Sequence, residues 1–512
     1  MKNIIKKASI GAFAMLSLSL ASCNDWLDVK MEDKVMENVL FSDYKGYMAA
    51  LNGVYLGMND VYSDYLTFGA LDVMAQYYNV TEENNHTMRQ WMRYRYPELE
   101  STNYHLWSRI YELIADDNAI IEHTERDAVL NPTQNAIIRG EALALRAFLH
   151  FDLLRLYGPI YQNNPAEVCI PYQNSSSREI QPMRPASEIL DLIIADLEEA
   201  AETLKDYDPI ITNGTGNTAT EDNGVSAYDM SFRQLRMNYY AVLGELARAY
   251  LWKGDRANAY RLAKNEIIDK VTTEDLEVFP WTTKAATEEQ GRPDLIFSSE
   301  VMFSLYNSKR EDAFDSRFAE NLARASRLTF YGATLVGDSK VQFFYDDPND
   351  LRIKQWKVVE PSQSEIREAE ENGTTAETSL AFTKFADFTN DATAAPVSTY
   401  RYMQPLMRLS EMYLIAAECT NDTDEAFELI NTIRIHRECQ DVAPVDLNRA
   451  ILYEFAREVI GEGQLFYFYK RHASTELISG TEADGLFSMT MANYVFPIPE
   501  EELSKRVLVD GK

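Results

Sequence analysis

The body of this 512-residue chain holds no long apolar run. The one continuous apolar stretch, residues 8–20, is too short to span a bilayer as a mature helix. Cysteine is scarce: Cys23, Cys169, Cys419 and Cys439, with no CxxC and no zinc-ligand spacing. A Cys419–Cys439 bridge stays open in an oxidising compartment, and buried free thiols are the default. The six histidines are scattered, and HExxH, GxSxG, a P-loop and GxGxxG are all missing. No metal site and no catalytic residue are therefore expected, and the chain reads as a non-enzyme. A secreted glycoside hydrolase is the least favoured reading, kept only because 80 acidic residues offer many carboxylate pairs. Basic residues number 49, giving a net charge of −31. Such a surface repels nucleic acid and anionic lipid.

What is present begins with an address. Lys2, Lys6 and Lys7 precede the apolar run, which ends in Leu20-Ala21-Ser22-Cys23. This is a lipobox: small residues fit the signal peptidase, and the Cys23 thiol accepts the diacylglycerol. Residues 1–22 then form a signal peptide, 23–40 a lipidated start and tether, and 41–512 a single domain. At about 0.8 kcal/mol per buried methylene, two or more acyl chains hold a protein stably at a membrane.

The body is organised around residues 137–157. Ile138, Ala142, Leu145, Leu149, Leu153 and Leu156 form one apolar helical stripe. Gly158 is expected to cap it in the left-handed conformation, and Pro159 stops it. Residues 187–204 carry a second stripe, and neither can bury its face alone. Similar pairs follow at 237–268 and 409–434, where Ala247, Tyr250, Gly254 and Ala259, then Tyr413, Ala417 and Ala426, take tetratricopeptide-like positions. Residues 41–59 with 104–123 make the least regular pair. The expected fold is mostly α: a tetratricopeptide-like array of up to four helical hairpins with a loop-rich, irregular half and a few short strands. Stretches from Glu300 and from Lys340 read as extended. Residues 206–229 read as a surface loop whose Asp and Asn could hold calcium, but not in EF-hand register, so calcium is not predicted.

Polar residues on the helices read as structure. Glu141 and Arg146 are expected in ion pairs, His150 packed or bonded at the hairpin surface, and Asp116-Asp117 and Glu198-Glu199 on solvated faces. The 30 tyrosines are the better functional signal. Residues 60–100 mix aromatics with Asp, Asn, Gln and Arg, a composition that stacks on sugar rings and bonds their hydroxyls. The expected ligand group there is Asp72, Gln76, Tyr77, Tyr78, Trp91, Arg93 and Tyr94, with Trp281, Tyr306, Tyr331 and Tyr345 as a second wall. Taken singly, each of these aromatics is favoured as core.

GEALALRAFLHFDLLRLYG followed by RPASEILDLIIADLEEA resembles the central signature of the SusD/RagB family of Bacteroidetes outer-membrane nutrient-binding lipoproteins. Trp26-Leu27-Asp28 resembles the family's mature start. Glu300 to Ser304, Asp350-Leu351-Arg352 and Lys384-Phe385 match further stretches in order, as do Arg408 to Leu414 and Ile430 to Arg434. Glu454, Arg457-Glu458 and Glu462-Gly463 match its late acidic and basic pattern, with Leu465 where arginine is usual, and Phe496-Pro497-Ile498-Pro499 resembles the closing W-P-I-P. The resemblance implies a surface-exposed, lipid-anchored protein that captures oligosaccharide or polysaccharide and delivers it to a SusC-like TonB-dependent transporter. A peptide or other nutrient is the alternative ligand. It also implies a site in the loop-rich half, opposite the repeats, and fixes no residue of it.

Overall fold

The structure, a computed structural model, describes residues 31–81, 86–215, 231–272, 276–323, 326–387 and 399–510. Cys23, the signal-like run and Trp26-Leu27-Asp28 lie outside these, as does the Gly/Asn-rich part of the loop from 216 to 230.

Four helical pairs follow one another. They are α1 (Tyr44–Val61) with α2 (Glu100–Arg126), α3 (Pro132–Tyr157) with α4 (Ala186–Leu204), α5 (Tyr239–Lys253) with α6 (Arg256–Tyr260), and α7 (Leu409–Cys419) with α8 (Thr423–His436). The turns Arg261–Ile268 prolong α6 as a π-helix. Each helix packs on the next, and α9 (Leu447–Glu458) lies against α7 and α8. Side chains mark the starts. Asp43, Asn238 and Asp422 accept from backbone N–H groups of the first turn, and Asn131 with Gln134 forms a capping box ahead of Pro132. Gly254 ends α5 in the left-handed conformation. α10 (Gln464–Arg471) closes the array. Among the described residues no helix is long and apolar enough to cross a membrane.

α3 departs from the single-stripe expectation. It is buried nearly all round, because α2, α4 and α1 all pack on it. Its polar residues are therefore buried and paired. Arg146 holds Asp196 through two bonds of 2.7 Å and Asn118 at 2.9 Å. Glu141 takes Arg233 at 2.5 Å and the Tyr55 hydroxyl at 2.7 Å, in keeping with the ion-pair reading. His150 is interior and not at a surface: it sits between the Arg146 carbonyl and the Gln173 amide, stacked on Tyr172. Burial pushes its pKa down to about 3. Gly158 is extended, with φ −76°, and not left-handed. Buried Lys470 instead caps α3, donating to the carbonyls of Arg155, Leu156 and Gly158.

Other expectations change with burial. Asp117 is fully enclosed, not solvated, and burial raises its carboxyl well above the usual range. Asp208, in the segment read as surface loop, is buried and clamped by Arg233. Cys169, Cys419 and Cys439 are free buried thiols. The Lys340 stretch forms a helical turn, Lys340–Phe344, because Val341 and Phe344 face the core three residues apart.

The described residues also form four two-stranded ladders: β1 (Val168–Pro171) with β2 (Met183–Pro185), β3 (Val301–Tyr306) with β6 (Met403–Arg408), β4 (Trp356–Val359) with β5 (Ser379–Phe382), and β7 (Glu476–Ile478) with β8 (Leu486–Ser488). All are antiparallel.

One ionic cluster ties the irregular half to the array. Arg352, Lys384, Arg408, Arg434, Arg437 and Arg457 interlock with Glu300, Asp346, Asp350, Glu454, Glu458 and Glu462. All but Asp346 are buried. Six cations face six carboxylates, so the cluster carries no net charge. These are largely the residues that matched the family pattern, scattered in sequence from Glu300 to Glu462 and gathered here at one point. Burying an ion costs several kcal/mol unless a partner is held in place, which makes this balance a condition of folding.

Candidate functional site

The residues expected to bind a ligand divide by burial. Asp72 lies in the core and accepts from the amides of Gly461 at 2.5 Å and Gly463 at 3.1 Å. Burial pushes its carboxyl up to about 8. Gln76 bonds Tyr94 Oη at 3.1 Å, Tyr77 bonds the Ala456 carbonyl at 2.6 Å, and Tyr94 bonds the Met74 carbonyl at 2.6 Å. Tyr78 reaches Asp72, and Trp91 packs between Tyr65 and Phe496. Each of these is under a tenth exposed, so their rings offer no open face to a ligand. Tyr345 is likewise buried and accepts from Trp356 Nε1 at 3.1 Å. The mixed composition of residues 60–100 thus serves the core, because buried tyrosine hydroxyls need the backbone carbonyls around them.

Arg93, Trp281, Tyr306 and Tyr331 remain accessible. They do not form one wall. Trp281 stacks on His436 at 4.5 Å beside Arg437, near the start of β3, whereas Tyr306 stands at its far end. Tyr331 belongs to a separate loop and donates to Asp338 at 3.3 Å, whose charge raises the phenol's pKa.

The surface around Tyr306 has the makings of a site. One end of the antiparallel β3–β6 ladder carries two tyrosines, Tyr306 as the last residue of β3 and Tyr402 just before β6, with ring centroids 5.2 Å apart and planes at 52°. Tyr306 is 45% exposed. Beneath the pair, Asn307 donates to Ser63 Oγ and Gln404 Oε1, both at 2.8 Å, and Gln404 donates to Thr67 Oγ1 at 2.9 Å. Arg310 holds the Met403 carbonyl at 2.9 Å, and Asn59 holds the Tyr306 carbonyl at 3.1 Å. This polar layer fixes the ladder end to the π-helical turn Tyr62–Leu66, so the two rings are held before any ligand arrives. π-Helical turns are frequent at functional sites. Two ion pairs frame the area: Arg401 with Asp387 at 2.6 Å, and Arg317 with Asp64 at 2.8 Å. The pairs cancel in charge. Such a surface suits a neutral ligand with flat C–H faces and many hydroxyls. Among the described residues no cluster of His, Cys, Asp and Glu could hold a metal ion.

Sequence reasoning named Tyr306 and missed its neighbours. Asn59, Asp64, Arg317, Asp387, Arg401 and Tyr402 come from four separated segments. The only linear trace is the short run Tyr400-Arg401-Tyr402 ahead of the Arg408 motif.

Comparison with known proteins gives consistent likenesses at both ends of the chain. A family model described as "Starch-binding associating with outer membrane" matches residues 25–215. The model of the SusD family matches residues 308–507. A SusD-like protein, P38, from Formosa agariphila is 25% identical over 505 residues, covering 90% of each chain. Among solved structures, a SusD superfamily protein from Bacteroides thetaiotaomicron superposes with a TM-score of 0.68 at 21% identity, covering 90% of this chain and 98% of the other. Surface glycan-binding protein A from the same organism, solved with laminarihexaose, gives 0.57 at 15% identity, covering 90% and 97%. At these identities the structural likenesses establish the fold.

Proposed function

The chain belongs to the SusD/RagB-like family, and on that premise we propose that it is a lipid-anchored, surface-exposed binding protein of the outer membrane. Its ligand is an oligosaccharide or polysaccharide, which it passes to a SusC-like TonB-dependent transporter. It binds and does not cleave. The observation that carries this reading is the braced Tyr306–Tyr402 pair, framed by two self-neutralising ion pairs. That a fold relative was solved with laminarihexaose supports a glucan among the first ligands to try. Affinity would come from ring stacking and hydroxyl bonds. The energy for uptake would come from the transporter.

The test is isothermal titration of the lipid-free protein against polysaccharides and peptides. A glycan should bind, and Tyr306→Ala with Tyr402→Ala should weaken it by about fivefold or more, since each stacked ring contributes about 0.5–1.5 kcal/mol. Flat traces with every glycan overturn the reading, and binding of peptides alone selects the other nutrient class. Cys23→Ala should release the protein from cell membranes, and affinity purification of the anchored form should bring a TonB-dependent β-barrel with it.

A further inference from the structure

The π-helical turn that braces the tyrosine pair has a second face. Tyr62, Ser63 and Leu66 are its buried residues, and Ser63 donates to Gln404 Oε1 at 2.9 Å beneath the pair. Asp64 and Tyr65 turn the other way: Asp64 is exposed and Tyr65 half-buried. Tyr65 therefore differs from Tyr77, Tyr78 and Tyr94, whose rings are enclosed.

Tyr65 makes a corner with His105, which comes from α2 and is exposed. The two ring centroids are 6.2 Å apart with planes at 61°. Tyr306 and Tyr402 form nearly the same corner, at 5.2 Å and 52°. Trp91 backs Tyr65 from the core side at 6.2 Å and is itself set against Phe496. Neither the Tyr65 hydroxyl nor the His105 ring has a hydrogen-bond partner among the described residues. Single exposed rings are ordinary on a protein surface. Two braced corners on one surface are not accounted for in that way.

The corners are joined by the elements between them. In the helix Arg310–Arg317, Arg310 holds the Met403 carbonyl next to Tyr402, and Arg317 holds Asp64 next to Tyr65. This helix packs on the π-helical turn. Burial raises the pKa of the Tyr65 phenol, Asp64 raises it further and Arg317 opposes them, so the hydroxyl lies beside that ion pair. The eight residues of the helix measure about 12 Å. A second route gives a similar span. Asn59 holds the Tyr306 carbonyl, and the helical chain from there to Tyr65, at about 1.5 Å per residue, covers about 9 Å. One sugar ring seated at either corner leaves the other empty, whereas a chain of sugars reaches both.

We propose that Tyr65 and His105 form a second subsite of the surface that begins at Tyr306 and Tyr402, and that the ligand is a glycan chain long enough to occupy the two together. The proposal rests on the glycan-binding reading. Its physical basis is that once a chain is held at one corner, its binding at the other is intramolecular, so affinity rises when the chain becomes long enough to span them.

The test titrates the mature chain with malto-, cello- and laminari-oligosaccharides from dimer to heptamer. In the series that binds, the longest oligomers should bind about fivefold or more tighter than the dimer, as two further ring contacts imply. Tyr65→Ala with His105→Ala should abolish that gain and leave the dimer's affinity as in the parent. His105→Ala alone, at an exposed position, should reduce the gain and serves as the second variant if Tyr65→Ala disturbs the fold. Equal affinity along the series, a full gain in the double variant, or an equal loss for dimer and heptamer would each overturn the second subsite while leaving glycan binding at Tyr306 intact. Binding by no oligomer would overturn both.

Discussion

Glu458→Gln is the sharpest test of the buried ionic cluster. The Glu458 carboxylate receives Arg352 Nη1 at 2.8 Å, Arg408 Nη1 at 2.7 Å, and Arg437 through Nε at 2.8 Å and Nη2 at 2.9 Å. Glutamine keeps the volume but supplies one acceptor oxygen and turns an NH₂ group toward guanidinium donors. Three cations then share five carboxylates' worth of balance with Lys384, Arg434 and Arg457, and one charge is uncompensated in the core. Removing one member of a buried pair costs about 3–5 kcal/mol. The matching exposed pair, Arg139 with Glu199 at 2.5 Å, supplies the control: Glu199→Gln should cost about 0–1 kcal/mol. Urea unfolding followed by near-ultraviolet circular dichroism measures both. Acid should reproduce the effect. Burial alone would raise the Glu458 carboxyl, but Arg437 and Arg408 overcome this and hold it well below the usual range. Its contribution is therefore complete above the unfolded carboxylate pKa and lost as pH falls below it toward the folded value. A Glu458→Gln protein within about 1 kcal/mol of the parent would refute the idea that this balance governs folding.

Asp72 should show the opposite pH slope. Its folded carboxyl titrates at about 8 against 3.8 unfolded, so the native state binds the extra proton between these values, and stability from this group falls as pH rises through them. Thermal scans from pH 5 to pH 8 should show that decline in the parent and a flatter profile in Asp72→Asn; parallel profiles would count against the shift. Gly463→Ala should be severe, because φ is +71° and a Cβ would stand 1.8 Å from the Leu66 carbonyl oxygen. Gly254→Ala, at φ +84° with open space, should cost only the left-handed strain of about 1–2 kcal/mol, and denaturation midpoints for the two variants should separate accordingly. Lys470→Met should cost about 1–3 kcal/mol, since it strips the cap from the α3 carbonyls; hydrogen exchange at residues 153–158 would report the fraying, and unchanged protection would exclude that role.

The helical pairs were legible because apolar spacing and end signals act over a few residues. Gly254 turns the chain at the end of α5 as its tetratricopeptide-like position implied, whereas the left-handed cap expected at Gly158 did not form. Burial was not legible in the same way. The tyrosines of residues 60–100 and Tyr306 have the same chemistry in sequence. What separates them is whether another segment covers the ring: Ala456 and Phe496 arrive from the far end of the chain over Tyr77 and Trp91, whereas Tyr306 keeps 45% of its surface exposed.

By itself, then, the order of residues determined the helical pairs and the family pattern, since each depends on periodicity or a local motif. Only the tertiary structure decided that Glu300, Arg352, Arg408, Arg437 and Glu458 form one neutral cluster, and that Tyr306 meets Tyr402 at a ladder end. The physical reason is range. A helix cap acts across a turn, whereas desolvation and ion pairing depend on every segment that folds over a side chain, however distant in sequence.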